Sequence, residues 1–112
     1  MKKIEIITRP EKLDEIKEAL GRMGINGMTV SEVIGCGLQK GRVGIFRGQE
    51  YEISLIPKIK IEIVTRDKWV DDIVERVTET ARTGNIGDGK IFIHQVEKAV
   101  RIRTGESGEE AI

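Results

Sequence analysis

IEIITRPEKLDEI (residues 4–16) is repeated in the second half of the chain as IEIVTRDKWVDDI (residues 61–73). Each copy opens with an alternation of period two, Ile4 and Ile6 around Glu5, then Ile59, Ile61 and Ile63 against Lys58, Lys60 and Glu62. After a Thr-Arg pair the period changes. Leu13, Ile16, Leu20 and Met23 follow one helical stripe, and Val70, Ile73, Val74, Val77 and Ala81 follow another. Thr8-x-x-Glu11, with Pro10 near the first turn, reads as the start of the first helix. Each helix is followed by a further strand candidate, about 26–37 in the first half and 91–103 in the second. A duplicated strand–helix–strand unit gives β-α-β-β-α-β, an α+β, ferredoxin-like antiparallel sheet with both helices on one face. The bare face would display Glu5, Ile7, Thr29, Glu62 and Val64, a mixed surface that predicts an oligomer burying it.

TGNIGDGKIF (residues 83–92) joins the second helix to the last strand. Gly84, Gly87 and Gly89 remove Cβ atoms from a short loop, so its amides can close on a small anion, and Lys90 adds a positive charge. On a strand reaching residue 103, Arg101 and Arg103 would point to the same face. Amides, a lysine and two arginines together read as a polyphosphate site. The spacing Gly84-x-x-x-x-Gly89-Lys90 fits GxxxxGK, but Ile91 stands where a P-loop needs Ser or Thr for Mg²⁺. The order is also reversed, with a helix entering and a strand leaving, so this is not a Walker A motif. The stretch also reads as a simple Gly-rich turn followed by solvated charges.

Between the second and third strands, residues 37–55 hold Gly41, Gly44 and Gly48, mixed charges and no clean period. A segment this long in a compact domain reads as a mobile protrusion presenting Arg47, Gly48 and Tyr51, or as an extended β-hairpin. Lys58 projects away from the apolar face near the base of that segment. Trp69 packs half-buried on the second helix, His94 reads as an ordinary strand residue, and the tail ESGEEAI is expected to fray.

The chain's 112 residues make one domain. Nineteen basic against nineteen acidic residues leave no net charge for nucleic acid or a membrane surface, and 4% aromatics are too few for base-stacking platforms. One cysteine, Cys36, excludes an internal disulfide and suits a reducing compartment. No signal sequence or spanning segment is visible, which points to the cytoplasm. A nucleotide hydrolase would share the phosphate loop but lacks a convincing base and nucleophile pair. An RNA-binding module would need more aromatics than Phe92 on the last strand. A purely structural trimer would not need convergent basic side chains.

Together TGNIGDGKIF, RIRTGE (residues 101–106), GLQKG…FRGQEY and LIPKIKIEIV resemble the PII nitrogen-regulatory signal-transduction family of the GlnB/GlnK type, in order along the whole chain. The resemblance implies a homotrimer with nucleotide sites in clefts between subunits, and a regulatory protein rather than an enzyme. It implies that Gly37, Leu38, Gly87, Asp88, Gly89 and Lys90 hold the phosphates of ATP or ADP with Arg101 and Arg103, while Thr29 and Val64 line the base and ribose side. It further implies that Gln39 helps hold Mg²⁺, and that Lys58, with Gln39 and Lys40, binds 2-oxoglutarate. The long loop resembles the family's T-loop, whose tip arginine, here Arg47 beside Gly48, enters and blocks an ammonium channel of the Amt type. The same resemblance extends the partners to glutamine synthetase or other proteins of nitrogen metabolism, and makes Tyr51 a possible uridylylation site. One departure is Leu38, where many members carry arginine. The missing charge is expected to weaken ATP relative to ADP or to alter loop anchoring.

Overall fold

The computed structural model describes residues 1–37, 43–46, 49–52 and 54–112, with the backbone alone described between 37 and 54. Six strands and two helices follow in the order β1 (Lys2–Thr8), α1 (Leu13–Arg22), β2 (Thr29–Gly37), β3 (Val43–Phe46), β4 (Gln49–Glu52), β5 (Ser54–Thr65), α2 (Val70–Ala81) and β6 (Lys90–Gln95). Four of the strands form an antiparallel sheet in the order β2-β5-β1-β6. This is the ferredoxin-like arrangement. The core lies between one sheet face and the helices: Ile4, Ile6, Ile59, Ile61 and Ile63 meet Ile16, Leu20, Ile73, Val77 and Ala81. Both halves of the repeat therefore bury the same stripes, because the two isoleucine alternations and the two helical periods point at each other.

The other sheet face is not covered by the described residues and carries a lattice of charged side chains. Glu5 stands directly across from Glu62, a like-charge pair that would be unfavourable alone. Lys60 lies 4.0 Å from Glu5 and 3.5 Å from Glu62, Lys3 lies 3.7 Å from Glu62, and His94 lies 3.8 Å from Glu5. Val64 and Phe92 interrupt these charges with exposed apolar surface.

Several local expectations are corrected. The last strand stops at Gln95 rather than running to residue 103, because its partner β1 begins at Lys2; the amide of Val96 closes the ladder on the carbonyl of Met1. Beyond that point no strand is left to pair with. The second strand begins at Thr29, three residues later than expected. Thr8 does not cap α1: a 3₁₀ turn at Pro10–Lys12 precedes the helix with no side-chain cap, and the Thr8 hydroxyl donates instead to the carbonyl of Asp88 at 2.7 Å. The tail does not fray. Ser107 bridges to Val100, a 3₁₀ turn spans Gly108–Ala111, and Glu109 lies 3.5 Å from Arg66.

In the long segment, β2 and β5 continue their pairing to Gly37 opposite Ser54, and Val43–Phe46 pairs with Gln49–Glu52. The described backbone is thus paired as a hairpin, the second of the two readings of this segment. Pro57 sits inside β5, where β1 has already ended, so its missing N–H leaves no gap in the β1 ladder. No helix among the described residues is long and apolar enough to cross a membrane.

Candidate functional site

One end of the sheet gathers the glycine loop, Lys58 and Lys90. Gly84, Gly87 and Gly89 all take positive φ, at 87°, 105° and 105°. Gly89 is required for a second reason: a Cβ there would lie 1.8 Å from the carbonyl oxygen of Ile7. The loop can press against β1 only without a side chain at that position. Asp88 shapes the turn. Its carboxylate accepts hydrogen bonds from the Thr83 hydroxyl at 2.5 Å, the Thr83 amide at 2.8 Å and the Gly84 amide at 2.9 Å, with Arg9 Nε at 3.5 Å. These donors, the Thr83 hydroxyl first, hold the Asp88 carboxyl well below the usual carboxylate range. Its side chain is therefore engaged inside the loop, and its backbone is the part that can face a ligand. The amides of Ile86 and Gly87 donate to no backbone carbonyl among the described residues, so they are open to an anion, while a turn over Ile86–Gly87 closes towards the Asp88 amide.

Lys58 reaches the same loop from the bare face, its ammonium donating to the carbonyl of Gly87 at 2.6 Å. Burial, and then the neighbouring Arg9 guanidinium, push its pKa down. Lys90 is exposed at the start of β6, opposite Ile7. Neither lysine has a carboxylate within salt-bridge distance among the described residues. Arg9 belongs to this group and was not singled out from the sequence. It donates to the carbonyl of Ile86 at 2.8 Å and faces Asp88, so it clamps the loop to the end of β1. The Thr-Arg pair closing each repeat was its only sequence signal.

The remaining candidates lie elsewhere. Thr29 pairs with Glu62, and Val64 with Lys3, towards the opposite end of the sheet. Along β5, Lys58 and Val64 are about 20 Å apart at roughly 3.3 Å per residue. Arg101 and Arg103 stand beyond that far end, in a tight turn and not on a strand. The turn is closed by the Arg101 amide on the Glu106 carbonyl and the Gly105 amide on the Arg101 carbonyl, both at 2.8 Å, with Gly105 at φ 73°. Arg101 also pairs with the Glu106 carboxylate at 3.0 Å, while Arg103 is exposed. Gly87, Asp88, Gly89, Lys90 and Lys58 therefore come together, whereas Thr29, Val64, Arg101 and Arg103 form a second group at the other end. Gly37 closes β2 opposite Ser54, and Tyr51 sits in β4 opposite Gly44. Leu38, Gln39, Lys40, Arg47 and Gly48 lie outside the described residues.

A cleft of about 370 Å³ marks the far end, lined among others by Met23, Ile25, Val64, Arg66, Trp69 and Ile112. A second cavity of about 290 Å³ opens between α2 and the β1–β6 edge beside Gly89 and Lys90.

Comparison with known proteins gives a uniform result. The family model described as nitrogen regulatory protein P-II matches residues 1–106. Over all 112 residues, covering both chains completely, the protein is 54% identical to the nitrogen regulatory protein P-II of Haemophilus influenzae. The protein of the same name from Microchaete diplosiphon is 57% identical over the same span. The solved structure of Bacillus subtilis GlnK aligns with a TM-score of 0.84 at 41% identity, covering 99% of this chain and 97% of that one.

Proposed function

The chain belongs to the P-II nitrogen regulatory protein family, and we propose that it is a regulatory binding protein for ATP or ADP, 2-oxoglutarate and Mg²⁺, acting on a partner through residues 37–55. The observation that carries this reading is the division of the candidate residues between the two ends of one sheet. Each end alone is half of a nucleotide site. A second copy of the chain that sets its Thr29, Val64, Arg101 and Arg103 against the glycine loop of the first completes it, and a closed ring of three repeats the junction.

At the loop end, the amides of Ile86 and Gly87 and the charge of Lys90 meet the phosphates, and Gly89 keeps that backbone close to β1. Arg101 and Arg103 approach from the other copy, and Val64 supplies an apolar wall for the base. Gln39 would help hold Mg²⁺, which would supply positive charge to offset the phosphates and the keto acid beside them. Lys58 is poised for the keto acid. Its ammonium rests on the Gly87 carbonyl, and a carboxylate in its place would be the better partner for a partly desolvated charge. Lys58 thereby ties occupancy of the keto-acid site to the phosphate loop, while Gln39 and Lys40 tie it to the base of the long segment. Arg47 and Gly48, in that segment, present the surface that meets the partner, an ammonium channel of the Amt type. The protein works in the cytoplasm and comes to the membrane only through that channel.

Such a sensor functions only if its ligands bind the loop states with different affinity. A coupling of about 1–3 kcal/mol, some 5- to 150-fold, is the usual scale. Calorimetric titration of 2-oxoglutarate with Mg²⁺, in saturating ATP and then in saturating ADP, tests the reading. Binding in ATP only, lost in Gln39→Ala while ADP binding persists, is the expected result. Equal binding in both nucleotides contradicts a keto-acid site that depends on ATP.

A further inference from the structure

The two Thr-Arg pairs of the internal repeat perform matching tasks on different partners. Arg9 clamps the glycine loop through Ile86 and Asp88. Arg66, its counterpart, holds the tail through Glu109 at 3.5 Å. Asp67, the next residue, is itself anchored by the chain's N-terminal amine at 2.9 Å, which fixes this corner to the start of β1. The tail then turns back so that Ile112, its amide on the Glu109 carbonyl, lines one cleft with Met23, Ile25, Val64 and Trp69. Ile112 and Trp69 are both 40% exposed and share that cleft. Between β6 and this anchor hang Arg101, Ile102 and Arg103, with Ile102 fully exposed. Among the described residues, the arginine turn is joined to the body through the end of β6 and through the Gly108–Ala111 turn, whose Glu109 meets Arg66.

We propose that residues 109–112 are a latch that positions Arg101 and Arg103 for nucleotide, so that latch docking and nucleotide binding strengthen each other. The inference rests on the proposed role of those arginines as phosphate ligands. It assigns Arg66, Glu109 and Ile112 as positioning residues for the arginine turn. The ion pair is exposed on both sides and so contributes little alone. The larger share falls to Ile112, part-covered at the wall of the cleft it shares with Val64 and Trp69. By linkage, whatever factor the latch adds to nucleotide affinity, bound nucleotide must add to docking of the latch.

Trp69 is the only tryptophan in the chain, so its emission reports on the cleft without any label. The test compares the full chain with a variant ending at residue 108, with Ile112→Asp, and with the swapped pair Arg66→Glu plus Glu109→Arg. In each, ATP affinity is measured alongside acrylamide quenching of Trp69. In the full chain, ATP is expected to reduce quenching. Truncation and Ile112→Asp should increase quenching, abolish the ATP response and weaken ATP at least about five-fold. Arg66→Glu alone should weaken ATP, and the swapped pair should recover it, which a general loss of folding would not permit. Truncated and Ile112→Asp proteins that bind ATP as the full chain does would overturn the latch. A full chain that binds no nucleotide at all would instead overturn the functional reading beneath it.

Discussion

Gly89 shows how one residue type can be dictated by a distance. Its positive φ alone would cost a side chain about 1–3 kcal/mol, and the Ile7 carbonyl leaves no room for one. Gly84 has a similar φ with nothing within 4 Å of the missing Cβ. Alanine at Gly84 is therefore expected to lower unfolding free energy by about 1 kcal/mol, and at Gly89 by about 3 kcal/mol or more, with loss of nucleotide binding. Urea unfolding of the two variants checks the ranking; equal costs would mean that the loop does not press on β1. The glycines were legible in the sequence because their spacing has few other uses. Arg9 was not. Its partners lie in the other half of the chain, and a position just before the first helix makes an arginine look like solvated surface.

Periodicity revealed the elements themselves, since isoleucine alternation and the two helical stripes are local patterns whose burial follows directly. Where elements end is a different matter. β6 stops because β1 begins at Lys2, and α1 goes uncapped by Thr8 because the loop claims its hydroxyl. Both outcomes depend on contacts distant in sequence. The misplaced strand end also misplaced Arg101 and Arg103, which sit on a turn closed at Gly105 instead of sharing a strand face. Thr8 is buried and joins β1 to the loop, so Thr8→Val is expected to cost about 1–3 kcal/mol by leaving the Asp88 carbonyl unpaired. Hydrogen exchange should show the loss of protection at residues 83–90 and not at the start of α1. Weakened protection in the first turn of α1 alone would restore the capping role.

For the molecule as a whole, the sheet has one face covered by helices and one that carries Glu5, Glu62, Lys60, Lys3 and His94 with Val64 and Phe92 among them. The mixed character of that face was visible in the alternating residues of β1 and β5, and it already pointed to a second copy. What the sequence did not reveal is that the candidate nucleotide residues separate into two groups at opposite ends, because register decides it and register depends on how distant strands pair. That separation makes the central claim testable by subunit mixing. Lys90→Ala disables the loop end and Arg103→Ala the turn end; each variant alone should bind ATP poorly. Co-assembled from a mixture, the two should regain ATP sites, since some junctions then unite the intact loop of one copy with the intact turn of another. A mixture that binds ATP no better than either variant alone would contradict a site shared between copies.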